Sequence, residues 1–249
     1  MCLILVAWQV LPELPLVVAA NRDEFFARPT AAAALWPDGI PFVAGRDLEA
    51  GGTWLGIGAA GRFAAVTNVR EPGKPAGAQS RGELPRDFLL GSASAAEFSS
   101  GIDMNAFSGF NLLLGDGREL WYCSNRADAP CRLQPGIYGV SNHLLDTPWP
   151  KLASSKQRFA EALSALPAEA VFFDLLADEE IVPDSALPTT GVPLEWERCL
   201  SAVFVRSPDY GTRASTLVSV DTNGTGTLTE RSFGPDAEAI GEVRLSLSC

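Results

Sequence analysis

A chain of 249 residues with 47% hydrophobic and 20% charged side chains has the composition of a folded globular protein and not of a disordered segment. Its 30 acidic and 19 basic residues give a formal net charge of −11, which opposes binding to nucleic acids and to anionic membrane surfaces. With five scattered cysteines and a single histidine, neither a disulfide framework nor a structural zinc site is expected.

The N-terminal segment carries no basic residue before Arg22, so it does not resemble a signal peptide. No apolar run approaches the length of a transmembrane helix. We therefore expect a cytoplasmic protein without a membrane span. No linker or internal repeat divides the sequence, so residues 1–249 are expected to form a single domain.

In the first half of the chain, short apolar runs separated by turn residues predict mainly strands. The expected strands are residues 3–10, 16–20, 62–67, 110–115 and 119–124. The stretch 36–61 is rich in Gly and Pro, so we expect loop and turn there. Residues 51–56 are expected to lead into a pair of strands that turns at 59–61, with 62–67 as the returning strand. Residues 82–90 are expected to form a short helix, and 92–101 a mobile segment of Ser and Ala.

The second half is predicted to hold two helices between further strands. Thr147 is the expected cap of the first helix, with Pro148 in its first turn, and the second helix is expected over 169–177. Residues 181–197 read as a Pro-rich loop. The expected strands are residues 137–141, 202–205, 214–220, 226–233 and 243–247. This order of strands, helices and strands predicts an α+β fold with helices packed on antiparallel sheets.

Cys2 is the most informative candidate for chemistry. If Met1 is removed, Cys2 carries both a thiol and a free α-amine. Such an amine has a reference pKa of about 7.7–8.0 and can act as a general base near neutral pH, so no histidine is needed. The alternative is that Cys2 is a small hydrophobic residue at the start of a buried strand, which is a common role of cysteine.

Several polar residues flank the predicted strands, where functional sites often lie. They could provide the oxyanion donors and orienting groups that an acyl-transfer site needs. Asparagine amides are suitable oxyanion donors, and arginine is suited to hold an anion. The alternative is that each asparagine is a turn residue. These candidates are Asn21, Arg22, Asp23, Glu24, Asn68, Asn142 and Arg213.

The tetrapeptide Asn21-Arg22-Asp23-Glu24 resembles the name-giving motif of the NRDE family, the transport-and-Golgi-organisation-2-like proteins. The resemblance covers nearly the whole chain and follows the same order. Further matching motifs are the Met1-Cys2 start, Gly51-Gly52-Thr53-Trp54-Leu55-Gly56, Thr67-Asn68, Ser80-Arg81-Gly82, Gly139-Val140-Ser141-Asn142, Asp146-Thr147-Pro148-Trp149-Pro150-Lys151 and Tyr210-Gly211-Thr212-Arg213.

This resemblance implies a branch of the N-terminal-nucleophile hydrolases, a four-layer αββα sandwich similar to the choloylglycine hydrolase and penicillin V acylase group. By the same resemblance, Cys2 is the nucleophile and Asn68 an oxyanion donor. Asn142 is then a second polar residue near the nucleophile, and Arg213 the late active-site arginine. Those hydrolases separate an Arg and an Asp by two residues. Here Arg22 and Asp23 are adjacent and the matching spacing is Asn21-x-x-Glu24, so the identity of the orienting pair stays open.

Two functions are compatible with these observations. The first is an N-terminal-cysteine amidohydrolase or acyl-transfer enzyme acting on a non-peptide amide or thioester. The second, which the family resemblance implies, is a protein that binds and carries haem or an acyl-lipid in the same pocket. Neither needs a resident cofactor or metal. An anionic partner of this acidic chain would need a local basic spot, for which the candidates are Arg22, Arg70, Arg81 and Arg213.

Overall fold

The computed structural model describes residues 2–37 and 41–248. The helices of these residues are α1 (Glu83–Leu90), α2 (Ala95–Ser100), α3 (Pro150–Ala162), α4 (Ala170–Leu176) and α5 (Leu194–Cys199). The strands are β1 (Cys2–Trp8), β2 (Leu16–Phe25), β3 (Thr30–Leu35), β4 (Phe42–Asp47), β5 (Leu55–Gly58), β6 (Arg62–Asn68), β7 (Phe110–Asp116), β8 (Leu120–Ser124), β9 (Cys131–Leu133), β10 (Gly136–Val140), β11 (Tyr210–Val220), β12 (Gly226–Phe233) and β13 (Ala239–Leu247).

The strands of these described residues form two antiparallel sheets. The first sheet has six strands in the order β10-β1-β2-β11-β12-β13, and the second has seven in the order β3-β4-β5-β6-β7-β8-β9. In the first sheet, β1 lies between β10 and β2, so it has a hydrogen-bonded neighbour on each side from Ile4 onwards, whereas Cys2 pairs with β2 alone. Cys2 pairs with Arg22, which sets the register of β1 on β2.

Side-chain alternation along β1 explains how the layers stack. Ile4, Val6 and Trp8 point into the core between the two sheets, where they meet residues of the second sheet such as Phe63. The intervening residues, Leu3 among them, point to the opposite face and pack against α3 and α4. On the far side, α1 and α2 cover the outer face of the second sheet. The result is the α+β, four-layer αββα sandwich that the sequence and its resemblance predicted.

The strand pair expected to turn at 59–61 is confirmed as β5 and β6, whereas the expectation of loop over 36–61 is wrong for β4. The glycines there serve close packing between neighbouring groups. A Cβ on Gly45 would lie 2.2 Å from the ring of Trp54, and a Cβ on Gly56 would lie 2.8 Å from the Cβ of Ala44. Residues that typically mark turns can therefore stand inside strands where a neighbour occupies the space of a side chain.

Two further expectations are also wrong. Residues 92–101 include helix α2, whose first turn is closed by a capping box: the Ser94 hydroxyl accepts from the Glu97 N–H, and the Glu97 carboxylate accepts from the Ser94 N–H. Residues 202–205 are buried but form no strand. The Phe204 N–H donates to the carbonyl of Asp178 at 2.7 Å, so this apolar segment packs against the α4 region, and Val205 bonds to Thr212 of β11.

Two helix boundaries differ from the predicted ones. Helix α3 begins at Pro150 after the N-cap Trp149, whereas the Thr147 hydroxyl donates to the carbonyl of Leu144 at 2.8 Å. Thr147 therefore closes the preceding turn and does not cap the helix. Helix α5 occupies the end of the region predicted as a Pro-rich loop, and it starts directly after Pro193. The predicted helices at 82–90 and 169–177 are confirmed as α1 and α4.

Glu230 of β12 places a carboxylate between the two sheets, where it is 2% exposed. Its Oε1 accepts from the Ala33 N–H of β3 at 2.7 Å, and its Oε2 lies 3.5 Å from the Thr216 hydroxyl of β11. Burial raises the pKa of Glu230 from 4.5 to about 7. The folded state therefore holds this proton at pH values where the unfolded chain has lost it, so Glu230 lowers the stability progressively as the pH rises from 4.5 to 7.

The substitution Glu230→Gln should raise the free energy of unfolding by about 1–3 kcal/mol at pH 8. The effect should be much smaller at pH 4, where the wild-type carboxyl is protonated in both states. A glutamine can keep both hydrogen bonds, to Ala33 and to Thr216. Urea unfolding of both proteins at the two pH values measures this difference. Glu242→Gln, at an exposed ion pair with Arg231, is the matched control and should change stability by less than about 1 kcal/mol. An equal effect of Glu230→Gln at both pH values would contradict the prediction.

Candidate active site

Cys2 is the first residue of β1, at the end of the strand where the space between the two sheets opens into a cavity of about 400 Å³. The cavity is bounded on the sheet side by the ends of β1, β2 and β6, and on the other side by the segment that leads into α1. Residues from both sheets and from this segment line it: Cys2, Arg22, Asp23, Glu24, Thr53, Trp54, Val66, Asn68, Gln79, Ser80 and Arg81, with others.

The Cys2 thiol is not activated by its surroundings. Burial raises its pKa above the ordinary value, and the nearby carboxylate of Asp23 raises it further. The positive charge of the N-terminal amine acts most strongly in the opposite direction, followed by Arg22 and the backbone N–H of Asp23, but the net direction is upward. The thiol is therefore protonated at neutral pH, and a nucleophilic role would need a base close to the sulfur atom.

Asn68, at the end of β6, is held in one orientation by Asn142. The Nδ2 of Asn142 donates to the Asn68 Oδ1 at 2.9 Å and to the Asn68 carbonyl at 3.1 Å. Because the Oδ1 of Asn68 accepts, its Nδ2 lies on the other side of the amide. There its one protein acceptor among the described residues is the carbonyl of Val69, at a long 3.5 Å. This amide can therefore donate a hydrogen bond into the cavity that Asn68 shares with Cys2.

A chain of buried hydrogen bonds ties Cys2 to the strand that carries Asn68. The Ser141 hydroxyl donates to the carbonyl of Cys2 at 3.0 Å, and the Thr67 hydroxyl donates to the carbonyl of Ser141 at 2.7 Å. The Asn111 amide in turn donates to the Thr67 hydroxyl at 3.1 Å. Since Cys2 belongs to the first sheet and Thr67 to the second, these bonds fix the two sheets relative to each other at the cavity.

A buried ion pair holds the segment that follows Asn68. Arg70 donates to Glu197 of α5 at 2.6 Å, and both side chains are 5% exposed. The Arg70 backbone N–H also donates to the carbonyl of Asn142 at 2.8 Å. Glu197 accepts in addition from the N–H and the hydroxyl of Thr190. The end of β6 is therefore anchored both to the end of β10 and to α5.

The four residues of the predicted tetrapeptide point in alternate directions, as expected for a strand. The guanidinium of Arg22 lies 4.3 Å from the centre of the Trp54 ring and 3.7 Å from the Glu24 carboxylate, and all three residues line the cavity. Asn21 points towards the helices, where it donates to the carbonyls of Leu176 and Val203. Asn21 does not line the cavity. The sequence left two orienting pairs open, Arg22 with Asp23 and Asn21 with Glu24. The residues that line the cavity include both members of the first pair but only Glu24 of the second.

Asp23 is buried, and burial raises its pKa above the ordinary value. Its Oδ1 accepts from the Thr212 hydroxyl at 2.7 Å, and its backbone carbonyl accepts from the Tyr210 hydroxyl at 3.1 Å. Lys151 of α3 acts on the same carboxylate and lowers its pKa. Burial in turn lowers the pKa of Lys151 to about 8, and its Nζ donates to the carbonyl of Leu200 at 2.8 Å.

Arg213 is not brought into the cavity. It lies within β11, not before it, at an irregularity in the pairing of β11 with β2. Its Nη1 donates to the carbonyls of Phe25, Phe26 and Arg28 at 3.0 to 3.3 Å. The observed role of this guanidinium is to hold the turn that follows β2.

From the sequence, Arg81 was a candidate only as a basic spot for an anionic partner, and Trp54 and Lys151 were not candidate site residues. Trp54 and Arg81 line the cavity, and Lys151 acts on Asp23. All three lie in motifs that carried the family resemblance, so membership of those motifs was the available signal. Within residues 2–37 and 41–248, no group of three His, Cys, Asp or Glu side chains is placed to hold a metal ion. The helices of that part include none that is both long and apolar enough to cross a membrane.

Comparison with known proteins decides the family. Residues 1–235 match the family model for Transport and Golgi organisation 2. The chain belongs to this family. Its relatives include the Transport and Golgi organization protein 2 homologs of Bos taurus and Homo sapiens, which are 41% and 40% identical over 240 residues, covering 88% of this chain and 86% of the relative. Transport and Golgi organization protein 2 of Drosophila melanogaster is 31% identical over 234 residues, covering 83% of this chain and 82% of the relative.

Solved structures of hydrolases have the fold of this Transport and Golgi organisation 2 family member. The Caenorhabditis elegans ortholog of N-acylethanolamine-hydrolyzing acid amidase gives a TM-score of 0.50 at 13% identity, covering 87% of this chain and 92% of the other. A C2A mutant of conjugated bile acid hydrolase from Clostridium perfringens gives a TM-score of 0.50 at 8% identity, covering 99% of this chain and 92% of the other. At these identities the likeness concerns the fold alone. It confirms the fold of N-terminal-nucleophile hydrolases that the sequence resemblance implied.

Proposed function

We propose that this protein is a cysteine amidohydrolase of the N-terminal-nucleophile type that acts on a non-peptide amide or thioester. One observation carries the proposal: the Cys2 thiol shares a cavity of about 400 Å³ with the side-chain amide of Asn68. Because Asn142 binds the Oδ1 of this amide, the Nδ2 of Asn68 can donate a hydrogen bond to a ligand. A nucleophile and a fixed neutral donor at one opening are the minimum that acyl transfer requires. The fold shared with two hydrolases is consistent with this chemistry.

The first half of the proposed reaction forms an acyl-enzyme. Once Met1 is removed, the α-amine of Cys2 has a reference pKa of about 7.7–8.0 and takes the proton of the thiol. The sulfur attacks the substrate carbonyl carbon, a C–S bond forms, and the carbonyl electron pair moves to oxygen. Asn68 donates its hydrogen bond to this oxyanion. The protonated amine then gives its proton to the leaving nitrogen (or sulfur, in a thioester) as that bond breaks.

The second half returns the enzyme to its starting state. The α-amine removes a proton from water, and the hydroxide attacks the thioester carbonyl. As the C–S bond breaks and the carboxylic acid leaves, the protonated amine gives that proton to the sulfur atom, which restores the thiol and the neutral amine. In this proposal Asp23 orients the amine of Cys2. Three observations support that role: Asp23 lines the cavity, acts on the pKa of the Cys2 thiol, and is fixed by Thr212.

The second candidate is a carrier of haem or an acyl-lipid in the same cavity. The raised pKa of the Cys2 thiol favours it under one condition. If Met1 is retained, the amine base is not on Cys2 and the thiol stays protonated, so the cavity contains no activated nucleophile. The state of the N-terminus therefore separates the two candidates.

The proposal is tested by comparing two N-terminal forms of the full chain. One form has lost Met1, as verified by intact mass, and the other has one added residue before Cys2, which blocks the amine. We expect only the Met1-free form to hydrolyse members of a panel of N-acyl amides and acyl thioesters, because only there is the base next to the sulfur atom. Titration with haem and with a fatty-acyl ligand is done on both forms. Saturable binding by both forms, with no hydrolysis by either, would overturn the enzyme proposal in favour of the carrier.

A further inference from the structure

Three arginines line the Cys2 cavity, although the chain as a whole carries a net charge of −11. Arg28 is neutralised by Asp47 at 2.8 Å and by Glu49 at 3.0 Å. Arg22 stacks on Trp54 and lies 3.7 Å from a glutamate carboxylate. Arg81, the third, forms no ion pair within residues 2–37 and 41–248. The charges of Glu24 and Glu71 act on Arg81, but neither carboxylate is in direct contact with its guanidinium.

The hydrogen bonding of Arg81 leaves one edge of its guanidinium available. Its Nη1 donates to the carbonyl of Gly109 at 3.1 Å, which is the one bond this side chain makes to the described residues. The Nε and Nη2 groups form the other edge, and neither makes a hydrogen bond to the described residues. Two parallel N–H groups on one edge match the two oxygens of a carboxylate or a phosphate. The side chain is partly buried, so an anion bound there would be partly shielded from water.

The position of Arg81 places this edge near the proposed nucleophile. Arg81 lines both the Cys2 cavity and an adjoining cavity of about 500 Å³, and Cys2 is among the groups whose charge acts on it. The two cavities also share Asn68 and Ser108. A ligand that reaches from the thiol into the second cavity would therefore pass Arg81.

The other cations of the second cavity are already paired. Lys74 and Arg126 both bind the carboxylate of Glu71, at 2.6 Å each. Arg70 is bound to Glu197 at 2.6 Å. Among the described lysines and arginines that line the two cavities, Arg81 is therefore the one that makes no ion pair.

We propose that Arg81 is an anion-binding residue that selects ligands carrying a carboxylate or a phosphate close to the group that Cys2 attacks. The anion site stands on the geometry of Arg81, whereas its role in choosing a substrate rests on the proposed function. The substrate class is then an N-acyl or thioester compound with an anionic group next to the scissile bond.

Two alkylating reagents of similar size test the anion site without any turnover. Iodoacetate carries a carboxylate and iodoacetamide does not, so the ratio of their rates at Cys2 reports on an anion site beside the sulfur atom. Exposed Cys131 in the same chain is the internal reference, read by peptide mass spectrometry. Changes in thiol pKa affect both reagents alike and cancel in the ratio.

We expect Arg81→Gln to lower the iodoacetate-to-iodoacetamide ratio at Cys2 about tenfold and to leave the ratio at Cys131 unchanged. Arg81→Lys, which keeps the charge but loses the two-pronged edge, should retain part of the preference. Arg86→Gln on α1, which removes an equal charge from a residue that does not line the cavity, is the matched control and should have no effect. A Cys2 ratio that is the same in the wild type and in Arg81→Gln would overturn the proposal.

Protection experiments distinguish the two sources of the anion. N-octanoylglycine and octyl phosphate are compared, with neutral octanamide as reference, for their ability to slow the reaction of Cys2 with iodoacetamide. Protection by the glycine compound that Arg81→Gln abolishes assigns a carboxylate, and the same result with the phosphate compound assigns a phosphate. Protection by octanamide alone would contradict the anion site.

These readouts also separate the inference from the proposed function. If no acyl compound is hydrolysed but the alkylation ratio depends on Arg81, the hydrolase proposal fails and the anion site stands. If acyl compounds are hydrolysed but Arg81→Gln changes kcat/KM equally for anionic and neutral substrates, the hydrolase proposal stands and the anion selection fails.

Discussion

Replacing Cys2 by serine should lower kcat of the Met1-free protein at least about 10³-fold, because a serine hydroxyl is a far weaker nucleophile beside an amine base than a thiol is. The fold should be unaffected, since serine occupies nearly the same volume and β1 keeps its pairing on both sides. The measurement is single-turnover and steady-state hydrolysis of whichever acyl compound the panel identifies, together with thermal unfolding.

The matched control is Cys131→Ser, which makes the same change at an exposed cysteine on β9, outside the cavity. It should keep full activity. Haem or fatty-acyl binding should survive Cys2→Ser unless the thiolate is itself a ligand. Retention of wild-type kcat in Cys2→Ser would show that Cys2 is not the nucleophile.

Replacing Asn68 by alanine should lower kcat about 10²- to 10³-fold with a much smaller change in KM. The reason is that the Nδ2 of Asn68 is placed to donate to an oxygen that becomes charged only during the reaction, so its loss weakens the transition state more than substrate binding. Steady-state kinetics across a range of substrate concentrations separates the two parameters.

Asn223→Ala is the control for this change. Asn223 is an exposed asparagine in the turn between β11 and β12, and it lines neither the Cys2 cavity nor the adjoining one. It should leave kcat within about threefold of the wild type. An Asn68→Ala variant that raises KM with kcat unchanged would show that Asn68 binds substrate without stabilising the oxyanion.

Much of the fold could be predicted from the sequence because its signals are local. Apolar runs bounded by turn residues located most strands of the first sheet, and the polar groups at their ends indicated where a site would open. The predictions failed where the local signal had a different cause. Gly45 suggested loop but lies inside a strand where the ring of Trp54 occupies the space of a side chain, and the apolar run 202–205 is buried but forms no strand.

The candidate site also has features that could be predicted from the sequence and features that could not. Cys2 at the second position, the tetrapeptide and the two asparagines at strand ends were visible as patterns. The sequence could not show which of them meet. Arg213 lies in the matching motif, yet its guanidinium binds backbone carbonyls away from the cavity, whereas Arg81 lines it.

Residue type and local spacing determined the α+β class, the likeness to a family and the presence of a potential nucleophile, because each depends only on neighbouring positions. Tertiary structure alone decided that Asn142 fixes the direction of the Asn68 amide, although the two residues are 74 positions apart. It also decided that one edge of the Arg81 guanidinium makes no hydrogen bond to the described residues. The physical reason is that a hydrogen bond or an ion pair depends on which groups are brought within about 3 Å. That follows from how the two sheets are aligned and packed against each other, and no short stretch of sequence contains that information.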